Sequence, residues 1–264
     1  MEKDLLKLYK YQLRRVFMKK LIAVIAMVCV VTGVLFAGGS QEDKEELIVG
    51  TSAGFRPFEY REKGEVTGFD IDLMKAIGEE LGREIVVRDM DFDALIEAVS
   101  TGTIDVIAAG MTITDERKER VDFTQAYFVA DQAVLVRESS DIKLNSPADL
   151  NNAKYRIGVQ NDTTGAFWVD DNAANATIKK YGKYIECIQD LENQNLDIIV
   201  LDKPVAQAFE KNRPTKMILV IPTDESYGLA VKKDSPLLEE LDKALKKVMG
   251  SDTWDELMAT YFGA

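Results

Sequence analysis

The sequence predicts an α/β fold in two lobes joined by two extended crossings, and three observations carry that prediction. From Leu47 onward, short apolar strands alternate with segments of helical period, the pattern of a parallel sheet with helices on both faces. The alternation starts afresh after a long extended stretch, Tyr127 to Val136. In both halves the strands end on short polar runs. Two sheets would then face each other with polar side chains along their carboxyl edges, where open α/β sheets keep their ligands.

The elements follow in order. Met1 to Phe17 (1–17) reads as an extra leader, with translation starting at Met18. Met18-Lys19-Lys20, the apolar run Leu21 to Phe36 and the small residues from Ala37 to Ser40 have the layout of a signal peptide over 18–37. The run is close to the length of a membrane anchor, so an uncleaved tether is the alternative. A charged spacer, 38–46, precedes the fold. Leu47 to Gly50 is a strand, Phe55 to Tyr60 a loop running into extended chain, and Gly64 a hairpin turn. A helix starts near Gly68, with Asp70 as its N-cap and Leu73, Ile77 and Leu81 at helical spacing. Glu84 to Arg88 is a strand, Asp93 to Thr101 a helix, and Ile104 to Ala109 a buried strand.

After the crossing at Tyr127 to Val136, Ile157 to Val159 is a strand whose end, Gln160 to Gly165, opens a helix through Phe167 and Trp168. Ile185 to Ile188, Leu196 to Leu201 and Met217 to Ile221 read as strands. The chain returns through Thr223 to Tyr227 into a strand at Gly228 to Val231. Helices over Leu237–Met249 and Thr253–Tyr261 close it. The first lobe is expected over 47–127 and 226–264, the second over 128–225.

Composition narrows the function. The chain of 264 residues has a net charge of −12. The segment through Lys20 holds seven Lys/Arg and two acids, leaving 26 basic and 43 acidic residues, a net of −17. So acidic a body argues against binding nucleic acid or anionic lipid. Histidine is absent, which removes imidazole acid–base chemistry and most zinc and haem sites. The two cysteines are Cys29, inside the apolar run, and Cys187, so no disulfide framework exists. Asp70 and Asp72 have the look of a metal pair, but helix capping fits them better; no metal and no cofactor are expected.

One segment stands out. Thr114 precedes Asp115 and Glu116 as a helix N-cap followed by acids, which suits the helix dipole. Arg117 opposes that dipole, so local helix energetics do not explain it. A cation beside a Thr hydroxyl and unpaired N–H groups, beyond a strand's carboxyl end, makes a socket for a carboxylate. The alternative is a solvated arginine on a polar helix, since Asp115 to Arg120 is nearly all charged.

Six motifs occur together and in order. They are Thr51 to Tyr60, Gly68-Phe69-Asp70-Ile71-Asp72-Leu73, Met90-Asp91-Phe92-Asp93, Ala109 to Arg117, Asp122-Phe123-Thr124 and Gly158 to Thr164. Together they resemble the polar amino-acid-binding proteins of bacterial ABC importers, extracellular solute-binding protein family 3, over nearly all of Glu45 to Ala264. The resemblance implies a two-lobe periplasmic binding protein-like fold of type II, with two hinge strands, that closes on an amino acid. By the same resemblance, Arg117 would pair with the ligand α-carboxylate, helped by Thr112, Gly110 and the backbone of Thr164 beside Thr163. Asp202 would take the α-ammonium, Phe55 and Phe92 would wall the ligand, and Ser52 and Gln160 would read its side chain. Apart from the resemblance, Met90 and Met111 are expected to flank the cleft, with simple filling as the alternative.

The implied function is a periplasmic receptor, secreted or membrane-tethered. It would be a monomer that binds a free L-amino acid and delivers it to an inner-membrane ABC permease, with no enzymatic activity. Several family members carry an Asp at the position of Ser52, and glutamine-binding members resemble this chain across the first lobe but carry Lys and His at the positions of Gln160 and Leu201. A glutamine-like neutral ligand is therefore expected first and arginine second, because Ser52 offers no acid to a basic tail. The rival reading is a dehydratase of cyclohexadienyl or arogenate type on the same fold. It would need a carboxylic acid poised in the cleft, and no acid beyond Asp202 is expected there. A sensor or cell-wall module using the same clamp is a third reading.

Overall fold

The computed structural model describes residues 45–263. The leader, the signal segment, Cys29 and most of the spacer lie outside the described residues. Among the described residues no helix is long and apolar enough to cross a membrane.

Two five-stranded sheets organise the chain. The first is built on β1 (Glu46–Thr51), flanked in parallel by β4 (Glu84–Asp89) and β5 (Val106–Ile107). The late strand β12 (Ala230–Lys232) joins it antiparallel between β5 and β6 (Val121–Phe123). The second sheet holds β8 (Arg156–Gln160), β9 (Thr177–Tyr181) and β10 (Ile198–Asp202), mutually parallel in the order β10-β8-β9. Two long antiparallel strands complete it, β7 (Phe128–Arg137) and β11 (Thr215–Tyr227). These are the two crossings: at their far ends Phe128 pairs with Tyr227, and Tyr227 also bridges to Thr112 of the first lobe. A small hairpin, β2 (Tyr60–Glu62) and β3 (Glu65–Thr67), turns at Gly64.

Both sheets are covered on both faces, and the strand period of two shows it. In β1, Leu47 and Val49 face helices α1 (Phe69–Leu81), α7 (Leu237–Met249) and α8 (Asp252–Phe262) in one apolar cluster. Ile48, between them, packs with Leu95 and Val99 of α2 (Leu95–Ser100) in another. In the second sheet Ile199 and Leu201 face α5 (Tyr184–Glu192) and α6 (Lys203–Asn212), while Ile198 and Val200 face α4 (Thr164–Asn172).

Three sequence expectations need correction. Ile185 to Ile188 is helix, not strand: Tyr184, Cys187, Ile188 and Leu191 are buried at helical spacing, and four apolar residues alone could not separate the two periods. The strand expected at Ile104 to Ala109 pairs only through Val106–Ile107. Asp70 is not an N-cap. Gly68 precedes the helix with φ 136° and ψ 178°, and a Cβ there would lie 2.1 Å from the Phe58 carbonyl oxygen. Asp70 is instead fully buried beneath the cleft.

The ring of Phe58 ties the first lobe to both crossings. Its centroid lies 5.0 Å from Phe128, 5.2 Å from Tyr227, 5.4 Å from Phe262 and 5.8 Å from Phe55. Edge and tilted contacts of this kind add to the area they bury. Phe58→Ala should cost about 3–5 kcal/mol of unfolding free energy in urea titrations. A loss below about 1 kcal/mol would show that the aromatic hub does not hold the crossings in place.

Candidate functional site

The carboxyl edges of the parallel strands supply the site. Phe55 follows β1, Phe92 follows β4, Gly110 and Thr112 follow β5, Gln160 ends β8 with Thr163 and Thr164 beyond it, and Asp202 ends β10. Phe55, Phe92, Gly110, Thr112, Arg117, Gln160, Thr163, Thr164 and Asp202 line one narrow cleft between the lobes. Ser52 stands behind Gln160, whose amide donates to its Oγ at 3.3 Å and to the Gly182 carbonyl at 2.7 Å. Met111 is placed elsewhere: its side chain is fully buried in the apolar cluster with Leu95 and Val121.

Arg117 sits in a one-turn helix, α3 (Asp115–Lys118), whose cap is Thr114; the Thr114 hydroxyl accepts the Arg117 N–H at 3.1 Å. The guanidinium leaves the helix for the cleft, and Arg117 as a residue is only 6% exposed. It donates to the Thr112 carbonyl at 2.7 Å and, across the cleft, to the Asp162 carbonyl at 2.7 Å. Its carbon lies 5.3 Å from the centre of the Phe92 ring, within cation–π range. Burial pulls its pKa down, and the charges of Glu225 and Asp202 work against that shift.

Asp202 starts α6 without capping it and is buried. Gln132 of β7 donates to it at 2.8 Å. Burial and then the charge of Glu225 raise its pKa from 3.8 to about 7. Thr163 caps α4 by accepting the Ala166 N–H at 3.1 Å. Thr164 opens that helix, so its backbone N–H is among those an α-helix leaves unpaired. Beneath the cleft, Asp70 accepts the Gly110 N–H and the Tyr127 hydroxyl, each at 2.8 Å, and burial lifts its pKa to about 6. Gly110 itself has φ +53°, and a Cβ there would meet the Phe55 ring at 2.8 Å.

The lobes touch directly. Besides the Arg117–Asp162 bond, Lys183 pairs with Asp89 at 2.5 Å and Asn161 donates to Asp93 at 3.1 Å.

Three residues of the site were missed from the sequence. Glu59 lines the cleft, is 1% exposed, and its Oε2 has no hydrogen-bond partner. Burial, then the charges of Asp70 and Asp202, push its pKa well up. The expectation that the cleft holds no acid beyond Asp202 is thereby overturned. Nothing in Pro57-Phe58-Glu59-Tyr60 announces it, because the chain turns there with the Gly54 and Phe55 N–H groups both bonded to the Glu59 carbonyl. Glu225 of β11 accepts the hydroxyls of Thr112 at 2.8 Å and Thr164 at 2.5 Å. Gln132 bridges Glu225 and Asp202. Both lie on the crossings, which sequence periodicity marks only as extended.

A profile of bacterial extracellular solute-binding proteins, family 3, matches residues 47–264. The chain belongs to this family. The arginine-binding extracellular protein ArtP of Bacillus subtilis is 30% identical over 260 residues, covering 93% of this chain and 98% of ArtP. A probable histidine-binding protein of Neisseria gonorrhoeae is 35% identical over 261 residues, 93% of this chain and 96% of that one. Among solved structures, an ancestral arginine-binding protein bound to glutamine superposes with a TM-score of 0.79 at 40% identity, over 84% of this chain and 99% of the other. The two-lobe type II architecture expected from the sequence is thus that of the family.

The raised carboxyls make a pH prediction for the ligand-free protein. An acid whose folded pKa exceeds its unfolded value of 3.8 stabilises the fold while protonated, and that contribution is lost as pH rises through the folded pKa. For Asp202 the loss completes above about pH 7. Asp202→Asn should therefore gain stability relative to the parent as pH rises from about 4 to about 7.5, read as the difference between two urea-denaturation series. A difference that stays constant across that range contradicts the placement of Asp202.

Proposed function

We propose that the chain is the amino-acid-binding component of an ABC importer. In this reading it is a monomer, outside the inner membrane, that captures a free L-amino acid by lobe closure and hands it to a permease. The observation that carries the reading is the meeting of buried opposite charges from different lobes. Arg117 comes from the first lobe, Asp202 from the second, and both line one narrow cleft. A zwitterion leaving water must have both charges paired, and an unpaired buried charge costs about 3–5 kcal/mol. A ligand that satisfies Arg117 and Asp202 at once binds the closed state better than the open one, which is what drives closure.

Glu59 changes the order of candidate ligands. A buried carboxyl in the cleft whose Oε2 has no partner supports arginine ahead of glutamine, since a guanidinium supplies a fork of donors to a carboxylate. The Gln160 amide spends its N–H groups on Ser52 and Gly182, which leaves its carbonyl as a second acceptor. With its pKa raised, Glu59 in the protonated form donates and so also suits the amide carbonyl of glutamine. The similarity to an arginine-binding protein bound to glutamine is consistent with a pocket that takes either. A protonated acid in a cleft is also what the dehydratase reading requires, so that reading is tested in parallel.

A thermal-shift series with the twenty L-amino acids on residues 45–264 tests the reading. Arginine should raise the melting temperature most, with stabilisation growing as RT ln(1 + [L]/Kd). Incubation with prephenate or arogenate should yield no aromatic product. Stabilisation by no amino acid, or turnover of either compound, contradicts the receptor reading. Glu59→Gln should weaken arginine by at least tenfold and spare glutamine; equal losses for both would remove Glu59 from the tail pocket. Binding of the α-ammonium requires ionised Asp202, so calorimetric affinity should fall as pH drops below about 7.

A further inference from the structure

Four segments meet at Glu225. Its Oε2 accepts a hydroxyl from Thr112 in the first lobe and a hydroxyl from Thr164 in the second. Its Oε1 accepts the Gln132 amide, at 3.2 Å, from the other crossing strand. The two hydroxyl oxygens are 3.5 Å apart, so one carboxylate can hold both only while the lobes are closed. β11 pairs with β7 from Thr215 to Ile221 with one register shift between Met217 and Leu219, shifts register again, and resumes at Glu225, so Glu225 stands where β11 leaves the second lobe.

We propose that Glu225 is a positioning residue that senses closure: it latches the two lobes through Thr112 and Thr164 and fixes what those hydroxyls offer the ligand. A hydroxyl has one proton. With both protons committed to Glu225, Thr112 and Thr164 present only lone pairs to the cleft. The ligand ammonium near Asp202 then meets oxygen acceptors, and the ligand carboxylate is left to Arg117 and to backbone N–H groups. Gln132, fully buried, donates to both Asp202 and Glu225 and sets the spacing between the two carboxylates. The latch lowers the free energy of the closed form in the absence of ligand and slows ligand escape in its presence.

The affinity arm of the test rests on the amino-acid-binding reading; the distance arm does not. Fluorophores on cysteines placed by Glu79→Cys and Lys211→Cys, at exposed positions in different lobes, report lobe separation, and stopped-flow mixing reports arginine dissociation. Glu225→Ala should widen the ligand-free protein and speed dissociation at least tenfold, with the association rate unchanged. Thr164→Val should do the same, and the double variant should add nothing beyond either single one, because one latch is being removed. Glu225→Gln keeps an oxygen acceptor but sets its amide against that of Gln132, so it should fall between parent and Glu225→Ala. Unchanged separation in Glu225→Ala, or additive effects in the double variant, overturns the proposal. If the parent binds no amino acid, the receptor reading fails while lobe separation still decides the role of Glu225. If the parent binds arginine and Glu225→Ala releases it at the parent rate, only the Glu225 proposal fails.

Discussion

The buried guanidinium of Arg117 is the constraint on which the rest of the cleft depends. A cation held at 6% exposure must be surrounded by acceptors and by negative charge. The protein meets that demand with parts drawn from everywhere: a carbonyl of its own lobe, a carbonyl of the opposite lobe, and the charges of Asp202 and Glu225. Because the Asp162 carbonyl belongs to the second lobe, the same group that would hold a ligand carboxylate also registers whether the lobes have met. Site chemistry and domain motion are thus one electrostatic problem.

The surplus of acid in the cleft follows from the same logic. Arg117 feels the charges of Glu225 and Asp202, and burial first, then neighbouring carboxylates, holds Asp202 and Glu59 toward their neutral forms. Such a site is poorly satisfied when empty. In the arginine reading proposed above, the ligand brings one anion for Arg117 and two cations for the acids. The expectation of a neutral ligand rested on Ser52 and on the first-lobe likeness to glutamine-binding members, with Glu59 not in view.

What was legible in the sequence was whatever period and local chemistry could express. The alternation around Val49, the hairpin at Gly64 and the capped turn at Thr114 appear in the structure as expected. The misplacement of Arg117 in its helix was a genuine signal, since its side chain serves the cleft rather than the helix. Illegible were residues whose role depends on distant chain. Glu225 looks like a surface acid until Thr112 and Thr164, 113 and 61 residues away, are brought to it. Asp70 looks like a cap until Gly110 and Tyr127 close over it. Ile185 to Ile188 was too short for period to decide, and only the burial of Tyr184 and Leu191 on one helical face resolves it.

The central claim is that the cleft recognises both charges of a zwitterion, one from each lobe. Calorimetric titration of L-arginine, agmatine, which lacks the carboxylate, and Nα-acetyl-L-arginine, which lacks the ammonium, tests it most directly. Arginine alone should bind tightly, with each analogue weaker by at least about a hundredfold, the scale set by leaving Arg117 or Asp202 buried without its partner. Binding of either analogue at the affinity of arginine would contradict it.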